Sequence, residues 1–372
     1  MSENKISQYV ERSDKAFEIF NGVSINSRSK LLLSIVDSLN DIKEEIIEVA
    51  SAETNLPIGR LQNELGRTIN QIKLFVNYIA DGAYLEATID HSDAERQPFP
   101  KPDIRRMLVP LGPVVVFGAS NFPLAFSTIG GDSVSALAAG CTVIYKCHPG
   151  HPRTSRLVAG AIARALKSND LPADTFLHLE LDHEESQSLI MQPLVEAIGF
   201  TGSFKAGKLI YDLAQKREKP IPVYAEMGSV NPIFILEDKA KENTEELAAN
   251  WANSLCLGVG QFCTNPGLIF IPEGFKDNFV TSLKQKLDEV VSQPMLTPQI
   301  AKAYHLKLKN YEDLNLGQSK SDSDINASPA IKVVDFTDWI KTPHYHEEVF
   351  GPFGMVVTYG SIQDLYEIIK AL

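Results

Sequence analysis

From about residue 6 to residue 78, apolar side chains recur at helical spacing, so the chain opens with helices. Ser27 is placed to cap a helix that begins near Lys30 and Leu31 and runs on to about Ala52. Glu48 and Glu53 fall on its solvated faces, and no chemistry is legible in this opening. Residues 90–106 break the period with Pro and charge, which predicts an extended arm or hairpin. Beyond Met107 the pattern alternates. Strands are predicted over 113–117, 141–146, 175–178, 196–200 and 221–226, with helices over 122–139, 154–166 and 203–216. This alternation predicts an α/β fold with a parallel sheet covered on both faces, whose ligands sit at the carboxyl ends of the strands. A second strand–helix set starts after a strand at 231–236, so the domain change is placed at 226–231, giving domains 1–228 and 229–372. Within the second set a helix over 247–257 leads through a turn to a buried strand at 267–271. The polar, Ser/Asp-rich stretch 317–328 reads as a surface loop.

Composition narrows the classes. The 372 residues suffice for two cores, and 44% hydrophobic with 22% charged residues is ordinary for a soluble globular protein. A net charge of -12 argues against a nucleic-acid partner, which would need a basic surface. Cys141, Cys147, Cys256 and Cys263 form no C-x-x-C pair, and no histidine grouping has zinc spacing, so no metal is expected. The cysteines fit a reducing compartment. The first residues hold no apolar signal segment, and the apolar region 109–144 is interrupted by Pro110, Pro113, Asn121, Pro123 and Asp132. A cytoplasmic protein without a membrane span is expected.

Candidate chemistry lies on loops. Cys263 falls on a turn flanked by Gly258, Gly260 and Gly267, with polar Gln261, Thr264 and Asn265 beside it. This setting suits a nucleophilic thiolate; a small buried loop cysteine fits as well. Asn121, after the strand 113–117 and Gly118, opens the next helix, where its amide could donate to an oxyanion or simply start the helix. Lys146 ends a strand before Cys147-His148-Pro149-Gly150-His151-Pro152, and could bind ribose hydroxyls or phosphate, or be solvated. Phe200-Thr201-Gly202-Ser203 runs from strand through a tight turn into a helix with Gly207 in its first turns. That helix start suits a pyrophosphate but lacks G-x-G-x-x-G. Glu226 closes a strand among apolar neighbours. Partial burial would raise its pKa and suit it to a general base, with an N-cap or a surface acid as the alternatives.

Taken together, Ser120-Asn-Phe-Pro123, Phe200-Thr-Gly-Ser203, Glu226-Met-Gly-Ser-Val-Asn-Pro232, Gly260-Gln-Phe-Cys263 and Glu347-Glu-Val-Phe-Gly-Pro352 resemble the motifs of the aldehyde dehydrogenase superfamily, in its order and over nearly the whole chain. The variants look most like the branch that oxidises 2-oxoglutarate semialdehyde; NADP-linked long-chain aldehyde dehydrogenases are near relatives. The resemblance implies a Rossmann-type cofactor domain at 1–228, with an extended oligomerisation arm at about 88–107, and an α/β catalytic domain at 229–372. By similarity, Cys263 attacks the aldehyde, Asn121 and the Cys263 N–H hold the oxyanion, and Glu226 activates water, which favours a free acid over a coenzyme A thioester. Lys146 and Ser203, with Gly202 and Gly207, match the adenosine-ribose and pyrophosphate contacts. Glu348 and Phe350 match the pair on the nicotinamide ribose. Implied partners are NADP or NAD and a small-molecule aldehyde, with a homo-oligomer in the full-length family.

Two departures stand out. Where many NAD-preferring members carry a glutamate three positions after the lysine, this chain has Pro149, with His148 and His151 nearby. That removes repulsion toward a 2′-phosphate and predicts use of NADP. Family members also continue well beyond Leu372, which implies a catalytic domain incomplete at its C-terminus. The alternative to an active enzyme is then an inactive fragment that only binds nucleotide or a partner chain.

Overall fold

The computed structural model describes residues 3–317 and 323–372. It divides into two compact units, Met1–Glu53 with Pro57–Met227, and Thr54–Leu56 with Gly228–Leu372.

The first unit opens with α1 (Glu3–Phe20), α2 (Ile25–Asn40), α3 (Lys43–Thr54) and α4 (Ile58–Ile79). Their apolar stripes are buried, as in Leu31, Leu32, Ile35 and Leu39 of α2 and Leu61, Leu65, Ile72 and Ile79 of α4. The single helix expected from about Lys30 to Ala52 is instead two, parted at Asp41 and Ile42. Ser24 is the cap rather than Ser27. Its backbone is extended (φ -61, ψ 154) and its Oγ accepts the Ser27 N–H at 3.2 Å, so Ser27 lies inside the first turn. A two-stranded antiparallel ribbon follows, β1 (Thr88–Asp90) on β2 (Ile104–Arg106), with both strands exposed.

The core of this unit is a five-stranded, wholly parallel sheet. It comprises β3 (Val114–Phe117), β4 (Val143–Lys146), β5 (Phe176–Leu179), β6 (Ala197–Gly202) and β7 (Val223–Met227), in the order β5-β4-β3-β6-β7. The connecting helices are α5 (Gly131–Ala139), α6 (Pro152–Ser168), α7 (His183–Ile190) and α8 (Phe204–Gln215). The chain winds outward from β3 through β4 to β5, then returns to the far side of β3 for β6 and β7. That reversal opens a crevice at the carboxyl ends of β3 and β6, where such sheets take ligands.

Two expectations change here. The helix read over 122–139 is only α5; residues before Gly131 form a folded loop. Gly130 lets that loop close on itself, since a Cβ there would lie 2.5 Å from Ala125 O and 2.8 Å from Ser127 N. Glu53 is not merely solvated. Its carboxylate accepts the Arg153 N–H at 2.9 Å, and the Thr154 N–H and Oγ1–H at 2.8 Å each, capping the first turn of α6 from a hundred residues away.

The second unit holds another five-stranded sheet, ordered β11-β13-β14-β9-β8. In chain order its elements are β8 (Pro232–Phe234), α9 (Glu237–Cys256), β9 (Leu268–Pro272), α10 (Lys276–Asp288), β10 (Gln293–Pro294), α11 (Pro298–Leu308), β11 (Asn315–Leu316), β12 (Asn326–Ala327), β13 (Ala330–Asp335), α12 (Phe336–Lys341), β14 (Phe353–Tyr359) and α13 (Ile362–Ala371). β8, β9, β14 and β13 run parallel, and β11 is antiparallel to β13. One face packs Phe270, Met355 and Val357 onto Trp339 and Tyr304; the other packs Ile269, Ile271 and Val356 onto Trp251 and Phe279. Of the stretch 317–328 read as a loop, 318–322 lie outside the described residues, and Asn326–Ala327 is the strand β12 paired with β10.

Removing the long-range cap checks this account. Glu53→Ala is expected to lower stability by about 1–2 kcal/mol, read as a lower urea midpoint at unchanged slope; an unchanged midpoint contradicts the capping role.

Candidate active site

In the first unit, four candidate positions gather along the carboxyl edge of one sheet. Asn121 follows β3, Lys146 ends β4, Gly202 and Ser203 end β6, and Glu226 is the penultimate residue of β7. Asn121 does not open a helix, contrary to the expectation. It is buried on the loop before α5, and that loop is held by charge from α4. Arg60 Nη2 donates to the Asn121 carbonyl at 2.7 Å. Glu64 Oε1 accepts the Leu124 and Ala125 N–H groups at 2.8 and 3.0 Å. The guanidinium groups of Arg60 and Arg67 cover the Phe122 ring at 5.2 and 5.6 Å. Glu64 is 4% exposed, and burial pushes its carboxyl up against the pull of those two N–H groups and the two arginines. Sequence reading missed Arg60 and Glu64. The available signal was a glutamate on the buried stripe of α4, beside Leu61, Leu65 and Thr68.

Burial lowers the pKa of half-buried Lys146, which Cys147 and Asp182 oppose. His148 and His151 stack with centroids 5.4 Å apart. His148 Nδ1 accepts the Gly150 N–H at 3.0 Å, so the neutral ring carries its proton on Nε2. Burial, then His151 and Lys146, push His148 down to about 3. Fully buried His151 bonds the Ala119 carbonyl through Nε2 at 2.9 Å, tying the β4–α6 loop to the Asn121 loop. Ser203 caps α8, its Oγ accepting the Ala206 N–H at 3.4 Å. Gly207 is buried, and a Cβ there would lie 2.3 Å from Met227 Cγ, so its contribution is close packing of α8 on the sheet. Glu226 is exposed, which corrects the expectation of a partly buried acid. β7 is the edge strand, and its residues alternate between half-buried and exposed with Glu226 on the open side.

In the second unit the candidates lie at the amino ends of strands. Residues 228–231 lead into β8, 258–267 into β9 and 347–352 into β14, and the order β14-β9-β8 makes these segments neighbours. Cys263 is half-buried on a turn between α9 and β9. The turn begins with Gly258, Val259 and Gly260 at φ 56, 59 and 65; for β-branched Val259 this conformation costs roughly 1–3 kcal/mol. Side-chain donors hold the turn's carbonyls. Asn231 Nδ2 donates to Cys263 O at 2.8 Å and to Asn265 O at 3.0 Å, and Ser229 Oγ also donates to Cys263 O. Trp251 Nε1 donates to Pro266 O at 2.7 Å. Gln261, 1% exposed, donates to Gly258 O at 3.2 Å and accepts the Leu296 N–H at 2.9 Å.

A cleft beside this turn is lined by Ser229, Gly260, Phe262, Asn265, Glu348 and Phe350. Burial raises the Glu348 carboxyl, while the Ser229 N–H and Lys307 pull it back. Lys307 Nζ also donates to the Glu348 carbonyl at 2.5 Å and pairs with Glu347 at 3.6 Å. The structure thus places Cys263 on a turn beside the cleft that Glu348 and Phe350 line in one unit, and Asn121, Lys146, Ser203 and Glu226 along one sheet edge in the other.

Comparison with known proteins adds to this geometry. Residues 1–371 match the model of the aldehyde dehydrogenase family. The chain is 40% identical over 370 residues to alpha-ketoglutaric semialdehyde dehydrogenase 2 of Azospirillum brasilense, covering 97% of this chain and 70% of that protein. It is 37% identical over 362 residues to alpha-ketoglutaric semialdehyde dehydrogenase of Acinetobacter baylyi, covering 95% and 68%. Among solved structures, it resembles the glyceraldehyde-3-phosphate dehydrogenase GapN of Methanocaldococcus jannaschii complexed with NADP (TM-score 0.78, 22% identity, 100% of this chain and 78% of that one). It also resembles an NAD-dependent benzaldehyde dehydrogenase of Corynebacterium glutamicum (TM-score 0.80, 19% identity, 100% and 79%). At such identities the structural likeness speaks for the fold. No helix among the described residues is long and apolar enough to cross a membrane.

The histidines yield a pH prediction. Burial lowers His148, His151 and His178 from the ordinary 6.5. Unfolding lets each take up a proton that the folded form refuses. Stability is therefore whole above about pH 6.5 and falls as pH drops from there toward the folded values, by up to about 1.4 kcal/mol per pH unit for each histidine. Urea midpoints between about pH 7.5 and 5.5 should show this loss, with a shallower slope for His178→Gln; equal slopes refute the assignment.

Proposed function

The chain belongs to the aldehyde dehydrogenase family, and we propose that it oxidises 2-oxoglutarate semialdehyde to 2-oxoglutarate with NADP or NAD. The observation that carries the reading is Cys263 itself: a half-buried thiol on a turn whose carbonyls are held by side-chain donors, beside a cleft containing Glu348 and Phe350. The likeness to two alpha-ketoglutaric semialdehyde dehydrogenases supports the choice of aldehyde.

The residues present fit a dinucleotide. The first unit offers an exposed turn at Gly202 and Ser203, the start of the 12-residue helix α8 with unpaired N–H groups in its first turn, and Lys146 at the neighbouring strand end. When bound, the nicotinamide ring supplies the acceptor for a hydride. Lys146 and Ser203 hold the adenosine ribose and pyrophosphate, and Glu348 and Phe350 orient the nicotinamide ribose. With Pro149 in place of an acid and His148 neutral, nothing in the loop 147–151 repels a 2′-phosphate, and His148 Nε2–H is a donor for it.

Cys263 acts as thiolate. Its sulfur bonds the aldehyde carbon, and the carbonyl electron pair moves onto oxygen, where the Asn121 amide and the Cys263 N–H receive it. The oxyanion then re-forms the C=O bond as the C–H bond breaks and its electron pair departs as hydride, leaving a thioester on Cys263. Glu226 takes a proton from water, the resulting hydroxide adds to the thioester, and the C–S bond breaks to release the acid and the Cys263 thiolate. The exposure of Glu226 leaves its carboxylate accessible to water.

The test is absorbance at the reduced-nicotinamide band with 2-oxoglutarate semialdehyde. The chain should turn over, and Cys263→Ala should lose about 10³-fold or more. Glu226→Gln should give about one equivalent of reduced cofactor and then stall, because the thioester persists. Steady activity in Cys263→Ala sinks the mechanism. For the cofactor, kcat/KM with NADP is expected to equal or exceed that with NAD; a strong NAD preference contradicts the reading of Pro149.

A further inference from the structure

Asn265 stands where two loops of the second unit meet. Its Nδ2 donates toward Gly260 O at 2.8 Å, Leu255 O at 3.2 Å and Gly351 O at 3.3 Å. Leu255 lies in the last turn of α9, Gly260 in the turn that carries Cys263, and Gly351 in the loop that carries Glu348 and Phe350. The two loops are in backbone contact here. A Cβ on Gly260 would lie 2.2 Å from Gly351 O and 2.6 Å from Asn265 Nδ2, and one on Gly351 would lie 2.4 Å from the Tyr304 ring. Both glycines have φ values that side chains disfavour, 65 and 150. Two amide hydrogens therefore serve three carbonyls across a junction that only glycines permit.

The oxygen of the same amide makes the point sharper. Asn265 Oδ1 is buried and has no hydrogen-bond partner among the described residues. Leaving a buried acceptor unmatched is unfavourable, and an aliphatic side chain of similar size would avoid it. What Asn265 adds over such a residue is its donor pair. The side chain also lines the cleft shared by Phe262, Glu348 and Phe350.

We propose that Asn265 is a positioning residue that locks the Cys263 turn to the Glu348–Phe350 loop, so that the grip on the cofactor and the reactivity of the thiol change together. The proposal rests on the reading of Cys263 as nucleophile and of Glu348 and Phe350 as the cofactor loop. The side chain acts through the backbone of both loops, by its bonds to Gly260 O and Gly351 O.

The test uses the full chain with Asn265→Ser, Asn265→Ala and Asn265→Asp. Serine can donate one hydrogen and alanine none. Aspartate keeps the shape but offers only acceptors to three carbonyl oxygens, so it should be worse than alanine. Three quantities are read: the dissociation constant for NADP, the rate of Cys263 alkylation by iodoacetamide with and without NADP (followed on the Cys263 peptide by mass), and the melting temperature. Loss of one to two shared hydrogen bonds should weaken NADP about 10-fold in Asn265→Ala. The ratio of alkylation rates with and without NADP should move toward one in the same variant, and both effects should grow in the order Ser, Ala, Asp. A variant that melts lower but keeps both the NADP constant and the alkylation ratio within about twofold overturns the proposal, as does a change in one without the other. Should Asn265→Ala fail to fold, the same two readings on Asn265→Ser decide. Activity surviving in Cys263→Ala would instead overturn the underlying site reading, so the two failures are distinguishable.

Discussion

The second unit depends on a turn whose backbone satisfies only part of itself, through Gln261 N–H on Gly258 O, Asn265 N–H on Phe262 O and Gly267 N–H on Asn265 O. Three successive residues, Gly258, Val259 and Gly260, sit at positive φ, and the chain then runs to β9 with little regular hydrogen bonding. Its carbonyls would be costly to bury alone, each worth about 1–3 kcal/mol if unmatched. Asn231, Ser229, Trp251, Gln261 and Asn265 supply the missing donors. These donors come from the approach to β8, from α9 and from the turn itself, so the turn's shape is written by the packing of the whole unit. A conformation that is strained locally is held because its surroundings over-determine it.

The first unit solves the same problem with charge. The loop before α5 has N–H groups at Leu124 and Ala125 that no helix or strand takes up, and Glu64 accepts both. Arg60 holds the carbonyl of Asn121, and Arg60 and Arg67 cover the Phe122 ring. Burying a carboxylate is tolerable here because two N–H donors and two guanidinium groups oppose the desolvation cost. The loop that presents the Asn121 amide is therefore fixed by a helix some sixty residues earlier in the chain.

How much of this could be read in advance follows from the range of the interactions. The buried strand 114–117 was legible because four apolar residues in a row have no other stable place. Cys263 was legible as a turn residue because glycines bracket it and a helix and a strand flank it. The position of Ser24 over Ser27 was a matter of one helical turn, which apolar spacing alone does not resolve. Glu53 and Glu64 were illegible for a different reason. Each is an ordinary glutamate in a helix, and its partners lie a hundred and some sixty residues along the chain. The loop 122–130 looked helical because small and apolar residues permit a helix there. Contacts to Glu64 and the close fold at Gly130 decided otherwise. Glu226 looked buried because its neighbours are apolar, but an edge strand turns every second residue outward.

The chemistry of the donors around Cys263 carries a last consequence. Amide, hydroxyl and indole groups hold the turn, and all are neutral. A carboxylate used for the same scaffolding would raise the free energy of a thiolate close by, whereas a lysine would lower it and also compete for the sulfur as an ion-pair partner. Neutral donors fix geometry without adding a formal charge, and they orient local dipoles with their positive ends toward the backbone oxygens. Glu348, one of two acids that line the cleft, is held by the Ser229 N–H, and its loop by Lys307 on the Glu348 carbonyl. Ser229 thus serves both segments, its hydroxyl on Cys263 O and its amide on Glu348. A displacement of the Glu348 loop would be felt at the carbonyl of Cys263 through one residue, Ser229, and at Gly260 through another, Asn265. The Glu348–Phe350 loop and the Cys263 turn are tied at two points, which resists rotation of one against the other as a single tie would not.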